Sequence, residues 1–249
     1  MKLTGNTIFI TGGGSGIGRA LAEALHNLGN KVIISGRSKE RLEETINANP
    51  GISAVELNVQ DPASIEAAAK QLIEEHPDLN VLINNAGIIH SDDAAGVIDE
   101  DVLVSTVKTN LLGPIRMTSA LIEHLKSKEE AVVINTTSIL GFMPLAATAV
   151  YSATKAALHT YTLSQRYMLK DTSVKVLEIV PPWVQSNNNE PRAMPLASFI
   201  EATIKVLGTD TDEVLVEEAK MFRNNPGPNE GVFVTQFNDS MKSQPPKIH

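Results

Sequence analysis

The chain has 249 residues, 42% of them hydrophobic, which suits one large α/β domain or two small ones. It holds no cysteine, which excludes a disulfide framework and a Cys-based metal site and fits a reducing, cytoplasmic compartment. A formal charge of −8 argues against nonspecific binding to nucleic acid or an anionic membrane, and no apolar run reaches the roughly 18 residues that span a bilayer.

Met1-Lys2-Leu3-Thr4-Gly5 runs straight into a strand and leaves no room for a signal peptide. That strand, Thr7-Ile8-Phe9-Ile10, is short and β-branched enough to be buried. TGGGSGIG follows at 11–18, and 17–25 then has helical apolar spacing, so a glycine-rich turn joins a strand to a helix. A pyrophosphate can sit there: glycines let the backbone come close, and a helix N-terminus presents free N–H groups and a partial positive charge. The spacing Gly12-xxx-Gly16-x-Gly18 differs from the commonest dinucleotide fingerprint, and three glycines in a turn are weak evidence alone.

A second strand follows at 31–35, and Ser38 is placed to cap a helix at 39–47. Residues 53–57 read as a third strand, and Asp61-Pro62 starts a helix that runs to 75, with proline at its tolerated first position. The fourth strand, 81–83, ends in Asn84-Asn85-Ala86-Gly87. One long helix is predicted over 99–126, a fifth strand over 131–136, a helix over 150–170 and a sixth strand over 174–180, which Pro181-Pro182 stops. Beyond a polar loop at 186–196, placed to cover a site, the spacing predicts a helix at 196–207, a seventh strand at 213–216 and a helical stretch at 217–223. The tail, 224–249, is rich in Asn, Pro and Gly near its start and reads as irregular.

Strands alternate with helices, and the strands are continuous apolar runs, as when both faces are covered. Right-handed crossovers then predict a single α/β domain over 1–249, a doubly wound Rossmann-type parallel sheet of about seven strands with helices on both faces. A (β/α)₈ barrel would need eight similar units, more than the chain supplies. Ligands in such an open sheet bind at the carboxyl ends of the strands.

Tyr151 and Lys155 lie one helical turn apart and share a face. A tyrosine is a poor base at neutral pH, but a nearby ammonium favours the phenolate, which predicts a lowered pKa suited to proton exchange with a hydroxyl or carbonyl. Alone, Tyr-xxx-Lys is common by chance, and a surface tyrosine over a lysine stem is the plainer reading. Ser138, at the end of the fifth strand, emerges at the ligand edge, where its hydroxyl can bond a substrate carbonyl. Asn110 sits inside the long helix, where Asn is a poor interior residue and a buried one needs partners; a satisfied core asparagine is the alternative.

TGGGSGIG at 11–18, NNAG at 84–87, Asn110, Ser138 and YSATK at 151–155 resemble, in order and spacing, the short-chain dehydrogenase/reductases over about residues 5–186. The resemblance implies a nicotinamide cofactor and hydride transfer to or from a carbonyl carbon. It implies that Tyr151 is the general acid in reduction and the base in oxidation, and that Ser138 polarises the carbonyl. Lys155 would hold the nicotinamide ribose and lower the tyrosine pKa, and Asn110 would hold a water linking Lys155 to solvent. Gly12, Gly16 and Gly18 would frame the pyrophosphate with Ser15 and Ile17, while Asn85, Ala86 and Gly87 would flank the cofactor. Asn58 stands where the family often has an aspartate and can still bond the adenine amino group, next to Val59. After strand six the usual Pro-Gly is replaced by Pro181-Pro182-Trp183-Val184-Gln185-Ser186, so that Pro181, Val184 and Ser186 would meet the nicotinamide. That form, with Arg192-Ala193-Met194-Pro195 after it, resembles the DltE-type branch, which contains the oxidoreductase encoded beside D-alanyl-lipoteichoic acid genes. The family's usual carboxy-terminal strand is missing. Members are commonly dimers or tetramers, which implies a homodimer or homotetramer.

The end of strand two, Ser35-Gly36-Arg37-Ser38, has no carboxylate for a ribose 2′-hydroxyl, whereas Arg37 and Ser38 can bond a 2′-phosphate. NADP(H) is therefore favoured over NAD(H), although Ser15 stands where many NADP(H) users carry a second basic residue. Leu140, Trp183 and His90 are candidates to touch substrate beside Ser138 and Tyr151, with Met143, Leu145, Met194 and Phe199 as possible pocket walls. Few fixed charges surround them, which suits a neutral ketone or aldehyde as the small-molecule partner. Six histidines without ligand spacing predict no metal site. Two other classes remain: a non-catalytic dinucleotide-binding redox sensor, which would tolerate loss of Tyr151 or Lys155, and an isomerase on the same scaffold.

Overall fold

The first strand, β1 (Thr7–Thr11), is buried along its length, and its side chains leave in alternate directions. Ile8 and Ile10 join one apolar cluster and Phe9 another. Both faces are covered, which is why the strand reads as an unbroken apolar run. The computed structural model describes residues 1–185, 191–225 and 227–243. Within them β1 is followed by β2 (Lys31–Gly36), β3 (Ser53–Glu56), β4 (Val81–Asn84), β5 (Ala131–Thr136), β6 (Val174–Ile179) and β7 (Glu213–Val214). Together they make one seven-stranded parallel sheet in the order β3-β2-β1-β4-β5-β6-β7.

On one face α1 (Gly16–Asn27) and α7 (Leu196–Leu207) bring Leu21, Leu25, Phe199 and Leu207 onto Ile8, Ile10, Ile83 and Ile134. On the other, α3 (Pro62–Glu75) and α5 (Gly113–Lys126) bring Ile65, Leu72, Met117 and Leu121 onto Phe9, Ile33, Leu82 and Val133. Each fully buried side chain of this size contributes about 1.5–3 kcal/mol. Polar caps fix where helices start at the carboxyl edge. Ser38 accepts a hydrogen bond from the Arg41 N–H at 3.3 Å to begin α2 (Lys39–Ala48), and Asp61 accepts one from the Ala63 N–H at 3.0 Å to begin α3.

The chain builds outward from β1 toward β3 and then from β4 toward β7. The winding reverses between β1 and β4, and that point opens a crevice at the carboxyl ends of the strands.

Three predicted elements differ from those observed. The helix expected over 99–126 is divided into α4 (Glu100–Val107), a π-helical turn at Lys108–Leu112, and α5. Pro114 has no N–H to give the carbonyl one turn back, and Asn110 is drawn sideways by its side-chain bonds to Ile88, so the ladder widens there. The seventh strand is two residues long, not four. The tail carries a helix, α9 (Glu230–Ser243), where irregular chain was expected. The Asn/Pro/Gly cluster ends at Gly231, and beyond it Phe237 packs on Phe222 of α8 (Glu217–Arg223) with ring centroids 5.9 Å apart. Of the loop at 186–196, residues 186–190 lie outside the described residues; Met194 pairs back onto Trp183 and Gln185. No helix among the described residues is long and apolar enough to cross a membrane.

Candidate active site

The glycine turn is fixed by contacts that no side chain could share. Gly12 has φ +71°, and a Cβ on it would fall 2.9 Å from Ala86 Cα. A Cβ on Gly18 would collide with the Gly12 carbonyl oxygen and with Asn85 Nδ2. The turn is therefore pressed against the end of β4, where the Thr11 hydroxyl accepts from the N–H groups of Asn85 and Ala86 at 3.0 Å each. Asn85 Nδ2 donates to the Thr11 carbonyl at 3.1 Å. One residue earlier, Asn84 donates to Asn135 on β5 and to Thr118 on α5, both at 2.9 Å. The NNAG stretch thus ties β1, β4 and β5 together around the crevice.

A cavity of about 1310 Å³ runs along this edge. That exceeds the roughly 300–1,000 Å³ of a common small-molecule site. At one end it is lined by Arg37, Ser38, Arg41, Asn58 and Val59. In its middle lie Gly12, Ser15, Gly16, Ile17, Gly18, Asn85, Ala86 and Gly87. At the other end stand Ser138, Leu140, Tyr151, Lys155, Pro181, Trp183 and Val184.

At that last end β5 and α6 (Ala149–Leu169) meet. The Ser138 hydroxyl and the Tyr151 phenol line this end together, and Ser138 acts to favour the Tyr151 phenolate. Ser138 Oγ also accepts from the Leu140 N–H at 3.1 Å. Lys155 is 3% exposed, and its ammonium donates to the Thr136 carbonyl at 2.8 Å. It lies 5.6 Å from the Tyr151 ring centroid. A proton donor, a second hydroxyl and a cation therefore converge where a carbonyl oxygen can accept two bonds. The family model of the short chain dehydrogenases matches residues 6–195.

The chain belongs to the short-chain dehydrogenase family.

It is an oxidoreductase of that family by this match and by its relatives. It is 43% identical over 191 residues to the uncharacterized oxidoreductase DltE of Bacillus subtilis, covering 76% of each chain. It is 32% identical over 191 residues to an NADP-dependent 3-hydroxy acid dehydrogenase of Schizosaccharomyces pombe, covering 74% of each. A short chain dehydrogenase from Burkholderia cenocepacia, solved in complex with NADP, superposes with a TM-score of 0.83 at 26% identity over 95% of this chain and 98% of that one.

Against this short-chain dehydrogenase frame, most residues singled out from sequence meet in one cavity. Two of the described ones do not line it. Asn110 is buried behind it, with its amide paired in both directions to the Ile88 backbone at 2.8 and 2.9 Å and to Thr154 at 3.3 Å. His90 sits on the loop after β4 and does not line the cavity. Ser186 lies outside the described residues. Of the proposed walls, Leu145 and Met194 face the cavity, whereas Met143 and Phe199 are buried in packing. Asn58 lines the cavity at the Arg37 end, but its Oδ1 accepts from the Gln60 N–H at 3.1 Å.

The lowered tyrosine pKa expected from the Lys155 ammonium is corrected here. Burial pushes the Tyr151 phenol up to about 12, against a smaller downward pull from the Ser138 hydroxyl. The ammonium spends its nearest contact on the Thr136 carbonyl instead. Burial also brings Lys155 down to about 8, with the Glu178 charge acting against the fall.

Sequence reasoning missed Arg41, Glu218, Phe222, Phe237 and Met241, all of which line the cavity. Arg41 had a signal, lying one turn beyond Arg37. The others had none, because they reach the site only through the packing of α8 and α9.

Proposed function

We propose that this protein interconverts a carbonyl and an alcohol with NADP(H), with Tyr151 giving the proton in reduction and taking it in oxidation. The observation that carries this is the meeting of Ser138, Tyr151 and the buried Lys155 in the same cavity as the glycine turn. The crevice fits a dinucleotide on two counts. Gly12 and Gly18 are pressed so closely on Ala86, Asn85 and each other that neither admits a Cβ, and their bare backbone lines the cavity. The buried hydroxyls of Ser35 and Thr136 line the cavity and have no hydrogen-bond partner, as groups awaiting a ligand would.

Bound in that crevice, a nicotinamide supplies or accepts the hydride. Tyr151 is neutral at physiological pH and serves as the acid for the developing alkoxide. Ser138 donates to the same oxygen and orients it. Lys155 would bond the nicotinamide ribose through its buried ammonium. Asn110 holds the Ile88 backbone and thereby the floor beside Lys155.

NADP(H) over NAD(H) is supported by Arg37 and Arg41 at the end of β2 and the start of α2, with no carboxylate in the cavity there. It also agrees with the NADP named for the pombe relative and the Burkholderia structure. Ser38 contributes less than expected, since its hydroxyl donates to Glu40 at 2.9 Å. Leu140, Leu145, Trp183, Met194, Phe222 and Phe237 line the substrate end beside the charged Arg192 and Glu218, and that apolar majority is in keeping with a neutral ketone or aldehyde. Homo-oligomer formation is supported by Leu163, Tyr167 and Met168, which are exposed on α6.

The test is reduced-nicotinamide absorbance with NADPH and then NADH, against ketones, aldehydes and keto esters, beside Tyr151→Phe. NADPH oxidation that the variant loses by about 10²-fold or more, with cofactor binding kept, is the expected result. Turnover surviving in Tyr151→Phe overturns the reading, and an NADH preference overturns its cofactor half.

A further inference from the structure

One buried carboxylate has no part in the chemistry above. Glu178 on β6 is 0% exposed, set between the buried Leu177 and Ile179 in a strand exposed only at Lys175. Burying a charge there costs several kcal/mol unless it is paired. Its two oxygens are occupied. The Thr137 hydroxyl donates to Oε1 at 2.6 Å. The His159 ring nitrogen Nδ1 lies 2.8 Å from Oε2 and 3.0 Å from Oε1, and since a carboxylate only accepts, Nδ1 carries the proton.

Both partners are neighbours of the reacting groups. Thr137 immediately precedes Ser138, and His159 is one turn beyond Lys155 on α6. One carboxylate therefore joins the end of β5, which carries Ser138, to the helix that carries Tyr151 and Lys155. We propose that Glu178 is a positioning residue: through Thr137 and His159 it locks Ser138 against the Tyr151–Lys155 face, and it brings its charge to the strand end whose preceding residue, Thr136, holds the Lys155 ammonium. The proposal rests on the oxidoreductase reading of that face.

The charged groups around Glu178 come from each element packed against it. From α6 come His159 and Lys155. From β7 comes Glu213, opposite Glu178 in the strand register, and from α8 comes Arg223. Arg223 is already paired twice with Glu213, at 2.8 and 2.9 Å, so these two largely cancel. Phe142 closes the trio from the side, with its ring 4.6 Å from His159 and the Arg223 guanidinium 4.8 Å over it. Glu178 is thus left as the carboxylate that offsets the cost of burying Lys155, which agrees with the direction of its effect on that lysine.

The test is NADPH affinity as a function of pH on the full chain, beside the pH profile of kcat/KM. Wild type should lose affinity as Lys155 deprotonates. Glu178→Gln keeps the size and most of the bonds but not the charge, and should move that midpoint to lower pH by about half a unit or more. Glu178→Asp should return the midpoint toward wild type while kcat stays low. If Glu178→Gln does not fold, the triple change Thr137→Val, His159→Leu, Glu178→Leu replaces the trio with apolar side chains, often neutral for stability, and carries the same expectation. An unmoved midpoint in a folded variant overturns the proposal. A wild-type midpoint that persists in Lys155→Met overturns instead the role of Lys155, and the proposal with it. Turnover surviving in Tyr151→Phe strikes the oxidoreductase reading alone, because the binding midpoint reports the lysine charge without chemistry.

Discussion

Tyr151 and Lys155 titrate far apart in this fold, and burial drives both away from charge. The phenol, pushed up to about 12, stays a proton donor across the working range. The ammonium, brought down to about 8, is present below that pH and lost above it. A ribose held by this cation is therefore bound best below about 8 and progressively less well as pH rises. Loss of a charge-assisted bond is worth about 1.5–3 kcal/mol, so NADPH affinity should fall by about tenfold or more between pH 7 and 9.5. Fluorescence titration checks this, with Lys155→Met flat over the same range; a flat wild type would remove Lys155 from the binding site. The identity of these residues was legible because side-chain type and spacing are properties of the chain. The direction of the tyrosine shift was not, because desolvation depends on what folds over the hydroxyl.

At the scale of elements, the turn between β1 and α1 matters most. Gly18 faces the Gly12 carbonyl and the Asn85 amide, which hold each other across β1 and β4 and cannot both retreat. Gly18→Ala should therefore cost about 1–3 kcal/mol of stability and lower cofactor affinity by about 10²-fold. Gly231→Ala, whose Cβ meets open space in α9, is the control and should leave cofactor affinity unchanged and stability the same or higher, by up to about 1 kcal/mol. Thermal unfolding and cofactor titration together read the contrast, and equal behaviour of the two variants would mean that the turn is not pressed as described. The glycine turn was predictable from its spacing, as were the caps at Ser38 and Asp61. The π-turn at Lys108–Leu112 was not, since α4 and α5 share one apolar pattern and the distortion comes from the bonds between Asn110 and Ile88. Helix α9 was hidden by the Asn, Pro and Gly residues just before it.

For the whole molecule, the reversal of winding between β1 and β4 places every ligand-facing loop on one edge. Ligand that binds only the folded chain stabilises it, by about 2.7 kcal/mol at a hundredfold excess over Kd. NADPH should accordingly raise the melting temperature more than NADH at equal concentration. Replacing both Arg37 and Arg41 by alanine should erase that difference while leaving the NADH effect in place. An equal shift by both cofactors in the wild type would overturn the assignment of the two arginines to a 2′-phosphate.

The amino-acid sequence by itself determined the alternation of strands and helices, the glycine turn, and the order and spacing of Asn110, Ser138, Tyr151 and Lys155, because periodicity, glycine placement and motif spacing are local and survive without coordinates. The tertiary structure alone decided which groups are desolvated and what closes the substrate end. Glu178, His159 and Thr137 lie far apart along the chain and meet only when β5, β6 and α6 pack. Phe222, Phe237 and Met241 reach the cavity only when the tail folds back over it. Burial and long-range contact are sums over the whole fold, and no stretch of sequence carries them.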